Sequence, residues 1–168
     1  MTISMFSASV PVFVRALTNL SACLDKADQH AKAKGYDSAV LVQSRLAPDM
    51  LPLAKQVQIA CDSAKFGAAR LSGGKAPSME DDEATIAELK ARIDKTVAYL
   101  NSVPAAEIDG SEEREVMVPT RGDPIKMSGQ AYLTGFVLPN LFFHVTTAYA
   151  LLRHNGVDLS KKDFLGRS

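Results

Sequence analysis

Between Met127 and Leu152 the sequence holds no Asp, Glu, Lys or Arg, yet Asn140 and His144 sit inside that stretch, four residues apart. On a helix that spacing puts both side chains on one face. Neutral imidazole is a common ligand for zinc, nickel or iron, and a histidine near its ordinary pKa can also move protons. The amide of Asn140 is a poor ligand for those ions. A buried histidine that is simply hydrogen-bonded is therefore the alternative reading, and the residues alone leave both open. Gln56 is a polar member of another, mostly small-residue helix face, and Asp49 is a carboxylate on the same face, explained equally well as a residue at the helix N-terminus. Other chemistries lack their signatures. No GxSxG turn is present, and neither Cys23 nor Cys61 is tied by sequence to a histidine and an acid. GxGxxG and GxxxxGK[ST] are absent, and Ser72-Gly73-Gly74-Lys75 is too short for a phosphate loop.

The elements that must position these residues are helices. Phe6, Val10, Phe13, Leu17, Leu20, Leu24, Ala27 and Ala31 alternate steps of four and three, the seam of a first helix ending at Lys34-Gly35. Pro11 fits if it lies in the first turn. After a connector near Tyr36 to Leu46, Pro48 and Asp49 can open a second helix running to Leu71. Its face of Leu53, Gln56, Ala60, Ser63, Ala64 and Gly67 is mostly small, which allows close packing or leaves room for a ligand beside Gln56. Ser78 with Glu80, Asp81, Asp82 and Glu83 reads as the start of a third helix. Ile86, Leu89, Ile93, Val97 and Leu100 form its buried stripe, and Glu88, Lys90, Arg92, Asp94 and Lys95 its solvated face.

From Glu115 to Met127 an alternating pattern around Pro119-Thr120-Arg121-Gly122-Asp123-Pro124 predicts a hairpin. The fourth helix begins near Gly129, carries a local fault at Pro139, and ends at Arg153-His154-Asn155-Gly156; the tail from Val157 reads as irregular. On this helix Leu133, Val137, Asn140, His144, Thr147 and Leu151 share an arc that should face inward. Leu138, Phe142, Val145 and Tyr149 line the opposite side, an apolar face suited to a partner subunit. The expectation is an all-α protein, a helical bundle in a single domain spanning residues 1–168, with a short β-hairpin between helices three and four.

Composition narrows the partners. Nineteen basic residues balance nineteen acidic ones, with no basic stripe to hold nucleic acid. Two cysteines without metal spacing read as reduced packing thiols, and MTISMFSASVPVF lacks a basic run and a cleavage site, so a cytoplasmic location is expected. Met127–Leu152 is long enough to cross a bilayer. Gln130, Pro139, Asn140, His144 and three threonines favour a buried core helix over a membrane span.

The segments MFSASVPVFVRALTNLSACLDKA, RLAPDMLPLAKQVQIACD and FHVTTAYALLRHNGVDLSKKDFLG resemble an uncharacterised bacterial domain-of-unknown-function family within the DinB/YfiT-like superfamily of metalloenzymes. The resemblance implies an up-down four-helix bundle, frequently a homodimer, with any site between the second and fourth helices. It also implies a divalent metal held by one His on the second helix and an HxxxH pair on the fourth, used by some relatives to activate a low-molecular-weight thiol. Aligned on Leu152-Arg153-His154-Asn155-Gly156, His144 takes the place of the second His of that pair, Asn140 of the first, and Gln56 of the remaining one. Three functions follow as expectations. One is a bundle binding a small ligand, or weakly a divalent metal, near Gln56, Asn140, His144 and Asp49. Another is a non-catalytic dimeric structural or stress-related protein, and the third a metal-dependent thiol transferase with His144 as ligand.

Overall fold

The four-and-three steps of Phe13, Leu17, Leu20, Leu24, Ala27 and Ala31 become the buried stripe of α1, Val10–Lys34, in a computed structural model that describes residues 3–120 and 122–166. Pro11 falls in the first turn, where its missing N–H costs no bond, and Phe6 precedes the helix, partly buried. Gly35 closes the helix at φ 76°, so the Tyr36 amide can reach back to the Ala31 carbonyl at 3.1 Å.

The expected connector holds one extra helical turn, α2, Ala39–Val42. The next helix, α3, Leu53–Ser72, starts later than Pro48-Asp49 suggested. Pro52 sets the true boundary: its extended ψ of 168° stands just outside the helix, and its carbonyl accepts the first helical bond from Gln56 N at 3.1 Å. Helix α4, Ile86–Ser102, likewise starts later than Ser78. Thr85 and Glu88 form a reciprocal capping box there, with Glu88 N on Thr85 Oγ1 at 3.2 Å and Thr85 N on Glu88 Oε2 at 2.9 Å. A short turn, α5, Ala105–Ile108, precedes the hairpin of β1, Glu115–Val118, and β2, Ile125–Ser128, which pair antiparallel with Glu115 opposite Ser128 and Val118 opposite Ile125. Arg121, in the connecting turn, lies outside the described residues.

The fourth long helix is built in three parts: α6, Gly129–Tyr132, a π-helical turn over Leu133–Val137, and α7, Leu138–His154. The π turn is the local answer to Pro139. A residue without an N–H, whose ring crowds the preceding turn, is accommodated by widening that turn, so Leu138 N bonds to Leu133 O. The tail is not irregular throughout: Ser160 and Asp163 form a second capping box that starts α8, Lys161–Leu165. This helix is tied to α1 by Arg15 and Asn19 donating to the Leu165 and Phe164 carbonyls and by a 2.7 Å Lys26–Asp163 ion pair.

Helix α3 packs against α7 and α4, and α1 packs against α4 and α7. Buried residues from all four, joined by Val116 and Val118 of β1, form one apolar cluster. The small face of α3 lets α7 come close. A Cβ at Gly67 would stand 2.7 Å from Val137 Cγ1, so only glycine fits that crossing without a shift. The segment Gly129–His154 is long and apolar enough to cross a membrane, at mean hydropathy 1.3, yet Leu141, Ala148, Leu151 and Leu152 along it lie in the core, as in an interior helix.

Candidate functional site

Gln56 in the first turn of α3 and His144 in α7 meet across the interface between the two helices, with Gln56 Oε1 and His144 Nδ1 2.8 Å apart. The opposite end of the amide decides the proton positions. Gln56 Nε2 lies 3.0 Å from the Leu51 carbonyl, which only accepts, so the amide nitrogen must face Leu51 and the oxygen must face the ring. Nδ1 therefore carries the hydrogen, and Nε2 keeps its lone pair. Burial holds the imidazole below its ordinary range and favours this neutral form. Phe143 stands edge-on to the ring at 5.1 Å, and Thr147, one turn on, gives its hydroxyl to the Phe143 carbonyl rather than to the imidazole. Nε2 has no protein partner among the described residues, and the residue retains 8% exposure. This geometry offers a ligand one hydrogen-bond acceptor, or a base, at the edge of the core.

Asn140, one turn before His144, is half-buried and forms no side-chain hydrogen bond among the described residues. It lines a groove of about 260 Å³ between α3 and the π turn, with Ser63, Phe66, Arg70, Tyr132 and Phe136. Neither Gln56 nor His144 lines that groove. Asp49 is exposed in the connector ahead of α3 and bonds to none of the other three candidates. His30 is half-buried, edge-on to Tyr36 at 6.2 Å, and His154 is exposed at the end of α7.

Two polar centres were not anticipated. Arg92 does not belong to a solvated face: it is 3% exposed and reaches Glu83 and the Glu80 carbonyl through Nη1, and Asp62 and Asp81 through Nη2, all within 3.0 Å. Burial opposes its charge, but Glu83 and Asp62 outweigh burial and hold the guanidinium ionised. Lys65, 2% exposed, pairs with the same Asp62 at 3.0 Å. The acids read as a helix start instead fasten the segment before α4 onto this network. A signal existed, since Arg92 falls three residues after Leu89 and four before Thr96, on the buried arc. The other centre is Arg70, whose Nη1 donates to Tyr132 Oη at 2.8 Å.

The donor set does not fit the metal centre that the resemblance implies. Amides stand at two of the three imidazole positions, and both ends of Gln56 are engaged, by His144 and by Leu51. Among the described residues no three His, Cys, Asp or Glu side chains gather within reach of one ion.

A family model described as a domain of unknown function, DUF1993, matches residues 5–165. A crystal structure of a DinB family member protein from Shewanella denitrificans is 42% identical in sequence, with a TM-score of 0.91 over 97% of this chain and 92% of that one. No curated protein matches.

Proposed function

The chain belongs to the DUF1993 family and has a DinB-like fold, and from that premise we propose that it is a small-molecule-binding bundle protein that works without a bound metal, with its site on the α3–α7 interface. The observation that carries this reading is the Gln56–His144 bond, which locks the tautomer and leaves the Nε2 lone pair unshared by any described protein group. Asn140, one turn away on the same helix, brings an uncommitted amide to the neighbouring groove between α3 and the π turn, which His144 does not line. The four long helices are read as an up-down bundle, supported by their pairwise packing. A homodimer is supported by the exposed, uncharged Phe142 and Phe143 of α7, while Val145, Leu138 and Tyr149 of the expected outer face are buried or half-buried against the core; a reducing, cytoplasmic setting is supported by two free thiols whose pKa values burial raises to about 11 and about 12.

Thiol transfer through a metal is disfavoured by the amide donors. A non-catalytic structural reading has its own support, because a Gln with both ends satisfied also fixes how two helices meet. Metal analysis of freshly purified protein, with a thermal-shift screen of metabolites on wild type and His144→Ala, tests the choice. Ligand-induced stabilisation that disappears in the variant, at unchanged secondary structure, supports the binding reading. Stoichiometric metal lost in the variant would overturn it in favour of the metalloenzyme, and no response to any compound would leave the structural reading standing.

A further inference from the structure

Arg70 is a cation whose partner is a phenol rather than an acid. Lys65, Lys55 and Arg92, on or against the same helix, each meet a carboxylate, but no carboxylate among the described residues lies within ion-pair distance of Arg70. Its guanidinium is nonetheless held in place. Its Cζ stands 5.1 Å from the Phe66 ring centre and 5.8 Å from that of Tyr132, and the bond to Tyr132 Oη fixes the plane. Tyr132 accepts from Arg70, so its own hydroxyl hydrogen remains to be donated. A fixed guanidinium with spare N–H groups beside a phenolic O–H is the donor arrangement that a planar carboxylate satisfies.

The surroundings define the rest of the ligand. The groove of about 260 Å³ has apolar walls in Ile59, Phe66, Phe136 and Val137, and Asn140 brings an unpaired amide to it. Asp62 also lines the groove, but its charge is already met by Lys65 and Arg92, which leaves Arg70 as a single uncompensated cation, matched by one negative charge on a ligand. The wall from Tyr132 to Val137 is formed by the π turn and the residue before it, an uncommon conformation that concentrates at functional sites.

We propose that the groove between α3 and the π turn binds a small organic monocarboxylate, with its carboxylate on Arg70 and the Tyr132 hydroxyl, its apolar body between Phe66 and Phe136, and its far end at Asn140. This rests on the reading of the α3–α7 interface as a binding face and names the ligand class, but it does not require the imidazole of His144.

Titration calorimetry with benzoate, phenylacetate and hexanoate, against benzamide and inorganic phosphate, tests it on wild type, Arg70→Met, Tyr132→Phe and His144→Ala, each checked by circular dichroism. At least one carboxylate should bind saturably, with benzamide and phosphate at least about tenfold weaker. Arg70→Met should lose about tenfold or more and Tyr132→Phe several-fold; should Arg70→Met not fold, Tyr132→Phe, which keeps the ring, carries the test. Absence of saturable carboxylate binding, equal binding of benzamide, or binding indifferent to both substitutions overturns the proposal. Carboxylate binding that survives His144→Ala leaves this inference standing while removing the imidazole from the site. A metabolite response dependent on His144 without carboxylate binding does the reverse.

Discussion

His144 Nδ1 donates to Gln56 Oε1 at 2.8 Å across the α3–α7 interface, and the bond from Gln56 Nε2 to Leu51 O at 3.0 Å leaves the amide no freedom to turn over. Removing either partner strands a buried polar atom. Gln56→Met and His144→Leu should each destabilise the fold by about 1–3 kcal/mol, and the double variant should cost less than their sum by about 0.5–1.5 kcal/mol. Urea unfolding of the four proteins measures this coupling. Strictly additive losses would mean that the bond contributes nothing to holding the helices together.

The same burial makes stability depend on pH. His144 is held below its ordinary value of 6.5, with desolvation as the cause. Unfolded chains therefore bind this proton more readily than folded ones, and by linkage stability is full above about pH 6.5 and falls as the pH drops from there toward the folded pKa. His144→Gln should flatten the melting-temperature profile between pH 7 and 5. Identical profiles for variant and wild type would remove His144 as the source, and an NMR titration of the ring would check the direction independently.

Arg92 ties four acceptors on two other stretches of chain, α3 and the segment before α4, to its own helix, so its loss should be among the most damaging single changes. Arg92→Met leaves Glu83, whose side chain is only 10% exposed, with no cation, while Asp62 keeps Lys65 and Asp81 keeps Lys55. Those two can rehydrate, being 32% and 45% exposed, which reduces the expected loss to about 2–4 kcal/mol. Arg92 also holds the Glu83 carboxyl below its ordinary 4.5 against the pull of burial, so wild-type stability is present above that value and declines as pH falls through the lower folded pKa. Acid unfolding should be correspondingly less steep in the variant. A loss under about 0.5 kcal/mol would show the network to be solvated in solution.

Gly67 marks how closely α3 and α7 approach. Alanine would gain helix propensity of about 1 kcal/mol, but its Cβ would meet Val137 Cγ1 at 2.7 Å and Phe13 Cε2 at 3.3 Å. Val137 is β-branched and sits at the end of the π turn, so it has little freedom to yield. Gly67→Ala should therefore destabilise by about 1–2 kcal/mol, and Val137→Ala in the same chain should recover part of that. Stabilisation by Gly67→Ala alone would show the crossing to be loose.

Periodicity made the long helices legible because each buries one stripe: the α1 seam holds residue for residue from Phe13 to Ala31, and Leu133, Val137, His144, Thr147 and Leu151 are buried as expected, whereas Asn140 is only half-buried and Val145, expected on the outer side, is buried. Starts were harder. Pro48-Asp49 and Ser78 with its acids carry good local cap chemistry, yet Pro52 and the Thr85–Glu88 box set the boundaries, and which of two plausible caps is used depends on what the flanking residues bond to in three dimensions. The Gln56–His144 pair was legible because both residues interrupt apolar faces. Arg92 was not, because a charge on a charged segment looks solvated until its acids, from α3 and the segment before α4, close over it. Arg70 escaped for a related reason: its partners are aromatic, and stacking leaves no charge pattern in the sequence.

The outer side of α7 is where a second copy of the chain would sit. Phe136, Pro139, Phe143 and Thr146 recur at helical spacing and are all exposed, Phe143 to 58%, with Phe142 beside them at 38%; none carries charge. An uncharged aromatic stripe of this length is unusual on a monomer and suits a two-fold contact, in which a helix meets its own copy. A stable contact would need about 800 Å² from each partner, more than the stripe alone supplies, so neighbouring surface must join it. Light scattering coupled to size exclusion should report a dimer for wild type at micromolar concentration and a monomer for Phe143→Glu, with unchanged circular dichroism, because a carboxylate buried without a partner opposes association. A wild-type monomer across that range, or a dimer indifferent to Phe143→Glu and to Phe142→Glu, would place the contact elsewhere or remove it.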